Sequence, residues 1–155
     1  MKADHANIFV RCAVHVFKKE LGIKLTRDSL VRKDKPVPGL PVCIVLGITG
    51  NIRGQVVYAV DQSFAMEIAH QMVPNKLPLE LKKLVNSAVG EIGNMITGQA
   101  TIALAGKEQT LQITPPAVFT GREIQVDFLH MPTISMRMLS HAGVLEINIA
   151  LTEEE

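Results

Sequence analysis

The segment from Leu79 to Ala105 constrains the fold more than any other, because it predicts one long helix. It contains no proline, and its apolar residues recur at helical spacing, at Leu81, Leu84, Val85, Ala88, Ile92, Met95 and Ile96. Pro78 suits the first turn of a helix, and Gly106 is a suitable stop. A helix of this length with one apolar face has to pack against other elements of the chain.

The same segment contains an unusual stretch, SAVGEIGNMITG, from Ser87 to Gly98. Glycine costs a helix interior up to about 1 kcal/mol relative to alanine, yet this stretch contains three glycines. At about 100° per residue, Glu91 and Asn94 lie outside the apolar face and are neighbours one turn apart. We expect a low, exposed flank on which these two polar side chains stand out from small residues, namely Ser87, Gly90, Gly98 and Thr101. A solvated face gains nothing from glycine, so the pattern favours close approach by another molecule.

The whole chain, residues 1–155, is predicted to form one α+β domain, in which helices cover an antiparallel sheet. An N-terminal helix is predicted from Ala6 to Leu21 with Gly22 as its cap, followed by a polar loop, RKDKPVPGLP. VCIVLGITG and RGQVVYAV predict a hairpin that turns near Gly50-Asn51, and Asp61 or Ser63 can cap the short helix after it. Beyond Gly106 four segments read as strands: QTLQITPP, REIQVDFLH, TISMRMLS and GVLEINIAL. Both halves of the chain are predicted to contain a helix followed by strands, so an internal duplication remains possible, although the sequence similarity between the halves is weak.

Composition narrows the classes of function. Hydrophobic residues make up 47% and charged residues 20% of the chain, and the net charge is +1, so neither disorder nor a nucleic-acid or membrane surface is favoured. No apolar run approaches the roughly 18 residues that span a bilayer, and we expect a cytoplasmic protein. Cys12 and Cys43 form no CxxC and read as separate reduced thiols. The five histidines have no metal-binding spacing; His15 and His70 are expected at helix edges, and His130 and His141 at strand ends.

The pair Glu91 and Asn94 does not form an active site by itself. One carboxylate cannot enclose a metal ion, and a carboxamide is no base at neutral pH. A carboxylate can, however, pair with a lysine, and an amide can hold a water by donating to it and accepting from it. The pair therefore fits a protein that completes the active site of a partner.

These residues resemble a known family. Ser87, Glu91, Asn94 and, after twenty-one further residues, Pro116 match the Asp/Ser–Glu–Asn–Pro signature of the CheC/CheX/FliY chemotaxis phosphatases. The MITG that follows the motif and the hairpin VLGITGNIRGQVVYAV are also typical of that family. Counting from Asp4 in the first helix finds Ile8 and Arg11 where a second motif needs glutamate and asparagine, so the chain is most similar to the single-motif CheX branch.

The resemblance implies the function. Members of this family remove the phosphoryl group from the aspartate of CheY-like response regulators. Carried over, Glu91 pairs with the receiver's lysine and Asn94 places a water in line with the phosphorus, while Ser87, Gly90, Gly98 and Pro116 contact the receiver. The implied metal is Mg²⁺ on the receiver, with no cofactor or metal on this chain. CheX-like members are homodimers, and exposed sheet edges give a physical reason for pairing.

Two other classes of function remain open. A CheX-like domain can be a non-catalytic scaffold that binds a receiver or a flagellar switch protein, as related domains without the catalytic pair do. A small-molecule binder is disfavoured, because the sequence supplies no set of convergent polar groups.

Overall fold

The computed structural model describes residues 3–33, 38–106, 109–126 and 131–153. Its helices are α1 (Ala3–Val16), α2 (Gln62–Met72) and α3 (Pro78–Ala105), and a π-helical segment, Phe17–Leu21, continues α1. Its strands are β1 (Thr26–Lys33), β2 (Val42–Thr49), β3 (Ile52–Val60), β4 (Gln112–Ile113), β5 (Ala117–Thr120), β6 (Thr133–Ser140) and β7 (Gly143–Glu153). The predicted α+β class is confirmed.

The strands form one seven-stranded antiparallel sheet in the order β1-β6-β7-β3-β2-β4, with β5 also paired to β2. The hairpins β2–β3 and β6–β7 lie side by side because β3 pairs with β7 along most of its length. The helices cover one face of the sheet, and the main hydrophobic core lies between the two layers. This layered arrangement positions α3 with one side on the sheet and the other outward.

Local signals set the ends of the helices as predicted. The Asp61 carboxylate accepts a hydrogen bond of 2.7 Å from the backbone N–H of Phe64, which caps α2. Gly22 ends the first helical segment in the left-handed conformation, with φ at 66°. The 28-residue helix α3 begins at Pro78 and stops before Gly106. The long helix, the hairpin and the cap are therefore confirmed.

The strand predictions were wrong in four places. β1 was not predicted, and its last residues, Arg32 and Lys33, were assigned to a loop. β1 lies at the edge of the sheet with mostly exposed residues, so its sequence has no apolar alternation. The short strand β5 was also missed, and in QTLQITPP only Gln112–Ile113 form a strand. In REIQVDFLH, residues 122–126 form no strand, and residues 127–130 lie outside the described ranges.

The remaining sequence predictions concern thiols, histidines and membranes. Cys12 and Cys43 are both free thiols, as predicted, and burial raises the pKa of Cys43 to about 11. His15 and His70 are exposed in the last turns of α1 and α2, whereas His130 lies outside the described residues. Within the described ranges, no helix combines the length and the apolar character needed to cross a bilayer.

Candidate functional site

The two motif side chains lie near the middle of α3, on the side turned away from the sheet. Glu91 is exposed, Asn94 is half-buried and Ser87, one turn earlier, is exposed. With Gly98 these residues follow one another at intervals of four, three and four, so they form a single stripe about 60° wide. We call these four residues the motif face of α3. The predicted exposure is confirmed for Glu91, whereas Asn94 is only partly exposed.

The opposite side of α3 is fixed against the sheet. Ile96 and Ala100 are fully buried there, and Gly93 permits an especially close approach. A Cβ atom on Gly93 would lie 2.9 Å from Ile44 Cγ2 and 3.3 Å from Tyr58 Cδ2, closer than side chains normally pack. Gly93, for which the sequence offered no role, therefore brings the helix onto the sheet directly behind Asn94.

A buried hydrogen-bond chain strengthens this contact. The Thr97 hydroxyl donates to the Gly93 carbonyl at 2.8 Å, and the Tyr58 hydroxyl lies 2.8 Å from Thr97 Oγ1. Because the Thr97 proton is used for Gly93, the Tyr58 hydroxyl is the donor in the second bond. Burial raises the pKa of Tyr58 well above its usual value, so the phenol keeps its proton. The sequence did not identify Tyr58 or Thr97 as support for the motif.

Pro116 lies beside the motif, as the spacing of the signature requires. A Cβ on Gly90 would contact Pro116 Cγ at 3.5 Å and Val118 Cγ2 at 3.6 Å, so the Pro116–Val118 segment covers Gly90. The expectation that Gly90 lies open for a partner is therefore wrong, because the protein's own β5 segment occupies that side. Pro116 itself is half-buried and remains available at the border of the motif face.

Gly98 and Thr101, two other members of the predicted exposed flank, differ in their surroundings. Gly98 has open space around the position of a Cβ, in agreement with the predicted low surface. Thr101 is buried, and its hydroxyl donates to the Gly98 carbonyl at 2.9 Å, so its place on an exposed flank is a wrong prediction. The buried face of α3 is wider than its aliphatic residues indicated, since it also includes Gly90, Gly93, Thr97 and Thr101.

The chemical state of the pair follows from its surroundings. Among the residues that the structure describes, Ser87, Glu91 and Asn94 have no side-chain hydrogen-bond or ion-pair partner. The carboxylate is therefore ready to accept from a cation, and the amide is ready to donate and accept. In the same described ranges, no group of three acidic, histidine or cysteine side chains is arranged to hold a metal ion. Within the described residues, the pair is therefore free to make polar contacts with another molecule.

Comparison with known sequences then decides the family. Residues 42–138, more than half of the chain, match the sequence profile of the family described as chemotaxis phosphatase CheX. The chain belongs to the CheX family. The matched region contains the hairpin, all of α3 and Pro116, so the CheX match includes every residue of the candidate site.

Individual relatives agree with this membership. The chain is 34% identical over 82 residues to the CheY-P phosphatase CheX of Thermotoga maritima, a match that covers 53% of each protein. It therefore aligns with about half the length of that curated relative. The chemotaxis protein CheX of Desulfovibrio desulfuricans is 25% identical, with a TM-score of 0.84 over 97% of this chain and 99% of that one. The CheX-CheY-BeF3-Mg²⁺ complex from Borrelia burgdorferi shares the fold, with 22% identity and a TM-score of 0.77 over 98% and 100% of the two chains.

Proposed function

We propose that this protein is a phosphatase that hydrolyses the phospho-aspartate of a CheY-like receiver domain in chemotaxis signalling. The observation that carries the proposal is the pair Glu91 and Asn94 on the outer side of α3, without a side-chain partner in the described part of the chain, in a protein of the CheX family. Support comes from the Thermotoga maritima relative, named a CheY-P phosphatase, and from the fold shared with a CheX that was crystallised with CheY.

In this proposal Glu91 docks the receiver. Its carboxylate is exposed and has no ion-pair partner among the described residues, so pairing with a receiver lysine breaks no contact within this protein. A charge-assisted hydrogen bond between the two becomes stronger as the interface excludes water. Glu91 thereby fixes the register of α3 on the receiver.

Asn94 performs the positioning step. The amide enters the receiver pocket and holds one water in line with the phosphorus. The water oxygen bonds to phosphorus while the bond from phosphorus to the aspartate oxygen breaks, which yields inorganic phosphate and a free aspartate carboxylate. Phosphoryl transfer depends mainly on such positioning and on charge neutralisation, and the Mg²⁺ that supplies much of the latter belongs to the receiver.

The Tyr58–Thr97–Gly93 contact supports this positioning from the buried side of α3. It ties α3 to the sheet next to Asn94, so the asparagine projects from a fixed support. Positioning within a fraction of an ångström is what such catalysis requires. The homodimer implied by the resemblance remains a prediction.

The test is phosphate release from phosphorylated receiver domains of the same organism, with wild type and Asn94→Ala. We expect the rate to fall about 100-fold in the variant, a typical cost of removing one oriented polar group. Binding to the receiver treated with beryllium fluoride and Mg²⁺ should be retained. The matched control is Asn86→Ala, an exposed asparagine on α3 away from the motif face, which should keep the wild-type rate. Equal rates for wild type and Asn94→Ala would instead support the non-catalytic scaffold.

A further inference from the structure

Ile102, in the last turn of α3, is 77% exposed, close to the 80% of Leu79 in the first turn of the same helix. One such residue on a surface needs no explanation by itself. Ile102 is of interest because it lies on the same side of α3 as Glu91 and Asn94.

Ile102 extends the motif face of α3. It follows Gly98 by four residues, so Ser87, Glu91, Asn94, Gly98 and Ile102 form one continuous stripe about 80° wide. At about 1.5 Å per residue, Ile102 lies about 12 Å along the helix from Asn94. Between them, Gly98 leaves open space for the surface of a partner.

A protein interface of ordinary size, centred on Asn94, extends as far as Ile102. A stable contact covers about 800 Å² on each partner, which corresponds to a disc of roughly 16 Å radius. A receiver centred on Asn94 therefore covers Ile102 as well. A receiver that covers an area of this size around Asn94 presents part of its surface to this isoleucine.

The chemistry of that surface follows from the charge pattern of α3. All charged residues of the helix lie in its first half, at Glu80, Lys82, Lys83 and Glu91. From Ile92 to Gly106 the sequence has no charged residue, although the motif face remains open to solvent there. Ile102 lies toward the border of an interface centred on Asn94, on a part of α3 where apolar contact with a partner buries no charged side chain of the helix.

A hollow of about 200 Å³ adjoins Ile102. The apolar part of its lining comes from Ile102, Ala105 and Leu111, and the uncharged remainder from Thr101, Gly106, Gln109 and Thr110. The Thr101 hydroxyl is already used by the Gly98 carbonyl. A space of this size and lining suits one apolar side chain of a partner.

We propose that Ile102 and this hollow form an apolar docking subsite for the receiver, which takes an uncharged, apolar surface segment next to the phosphorylation site. The inference rests on the proposed function and adds to it a determinant of which receiver is bound. Glu91 and Asn94 act on groups that the receiver needs for its own chemistry, whereas the Ile102 subsite acts on a part of its surface that is free to differ between receivers.

The test compares Ile102→Ser with Leu79→Ser, using the receiver identified as substrate in the phosphate-release assay. Leu79 is a matched control because it is 80% exposed on the same helix but lies in the first turn, off the motif face. Both positions are solvent-exposed, so both variants should fold. We expect Ile102→Ser to raise KM about tenfold with kcat within twofold of wild type, the signature of lost binding that is uniform along the reaction. Affinity for the receiver treated with beryllium fluoride should fall by the same factor, and Leu79→Ser should match wild type.

The possible failures are distinguishable. Wild-type KM and affinity in an active Ile102→Ser protein would overturn the docking subsite and leave the proposed phosphatase intact. A fall in kcat at constant KM would also overturn it, because it would place Ile102 in the chemical step. If the wild-type protein neither binds nor dephosphorylates any receiver, the proposed function fails and the subsite fails with it.

Discussion

Three glycines of α3 serve three different purposes. Gly93 is buried where a side chain would collide with Ile44, and Gly90 is covered by Pro116 at ordinary contact distance. Gly98 is surrounded by open space, so nothing within the protein requires a glycine there. Since glycine costs a helix about 1 kcal/mol, Gly98 is the position at which the chain gives up stability for some other purpose. In the proposed function that purpose is contact with the receiver.

This assignment predicts opposite effects for two matched substitutions. Gly98→Ala should increase the free energy of unfolding by about 1 kcal/mol, because it adds helix propensity without a clash. Gly93→Ala should decrease it by about 1–3 kcal/mol, because the new methyl group forces the helix away from Ile44. Urea denaturation of both variants measures the two changes. A stability loss in Gly98→Ala would show that this glycine has a structural role after all.

At the scale of secondary-structure elements, the decisive contact joins α3 to β3. The Tyr58 hydroxyl from β3 meets Thr97, which in turn bonds to the helix backbone at Gly93. Tyr58 and Thr97 are both buried, and the hydroxyl of Tyr58 is satisfied within the contact. It therefore helps to fix the distance and the rotation of α3 relative to the sheet.

We expect Tyr58→Phe to lower the free energy of unfolding by about 1 kcal/mol at neutral pH, the net contribution of one buried hydrogen bond. The pH dependence gives a second readout. The pKa of Tyr58 is raised in the folded protein, so above about pH 10 the unfolded chain loses the phenolic proton first and stability falls. Tyr58→Phe should show a shallower decline between pH 9 and pH 11. Parallel alkaline declines in wild type and variant would contradict the assignment.

At the scale of the whole molecule, the strands at the centre of the sheet are longer or more deeply buried than those at its edges. β7, with eleven residues, lies between β6 and β3, and nearly all of its central residues are buried. β1 is an exposed edge strand, while β4 and β5 contribute only two and four residues at the other side. The segment that holds Pro116 against Gly90 thus belongs to a sparsely bonded border of the sheet.

Hydrogen exchange should reveal this gradient. Backbone amides of β3 and β7 should exchange only through global unfolding, whereas those of β1 and β5 should exchange at least tenfold faster through local opening. Added urea separates the two classes, because global exchange accelerates with denaturant and local exchange does not. Protection of β5 equal to that of β7 would mean that the Pro116 segment is held as firmly as the core.

The sequence by itself determined the features that depend on local chemistry. Pro78 and Gly106 delimit α3, Asp61 caps α2, and a turn at Gly50-Asn51 defines the first hairpin, as the structure confirms. The spacing of Glu91 and Asn94 was enough to place both side chains on the outer side of the helix. Each of these outcomes is set by residues within a few positions of one another, where propensity and period are informative.

Only the tertiary structure decided what depends on neighbours distant in sequence. β1 and β5 are strands because they pair with β6 and β2, respectively. Their own sequences do not predict these hydrogen bonds. Gly90, Gly93 and Gly98 are alike as letters, but the segments packed against them differ, and that difference leaves Gly98 open while burying the others. Helical periodicity gives the direction in which a residue points, whereas contacts across the fold determine whether anything lies there.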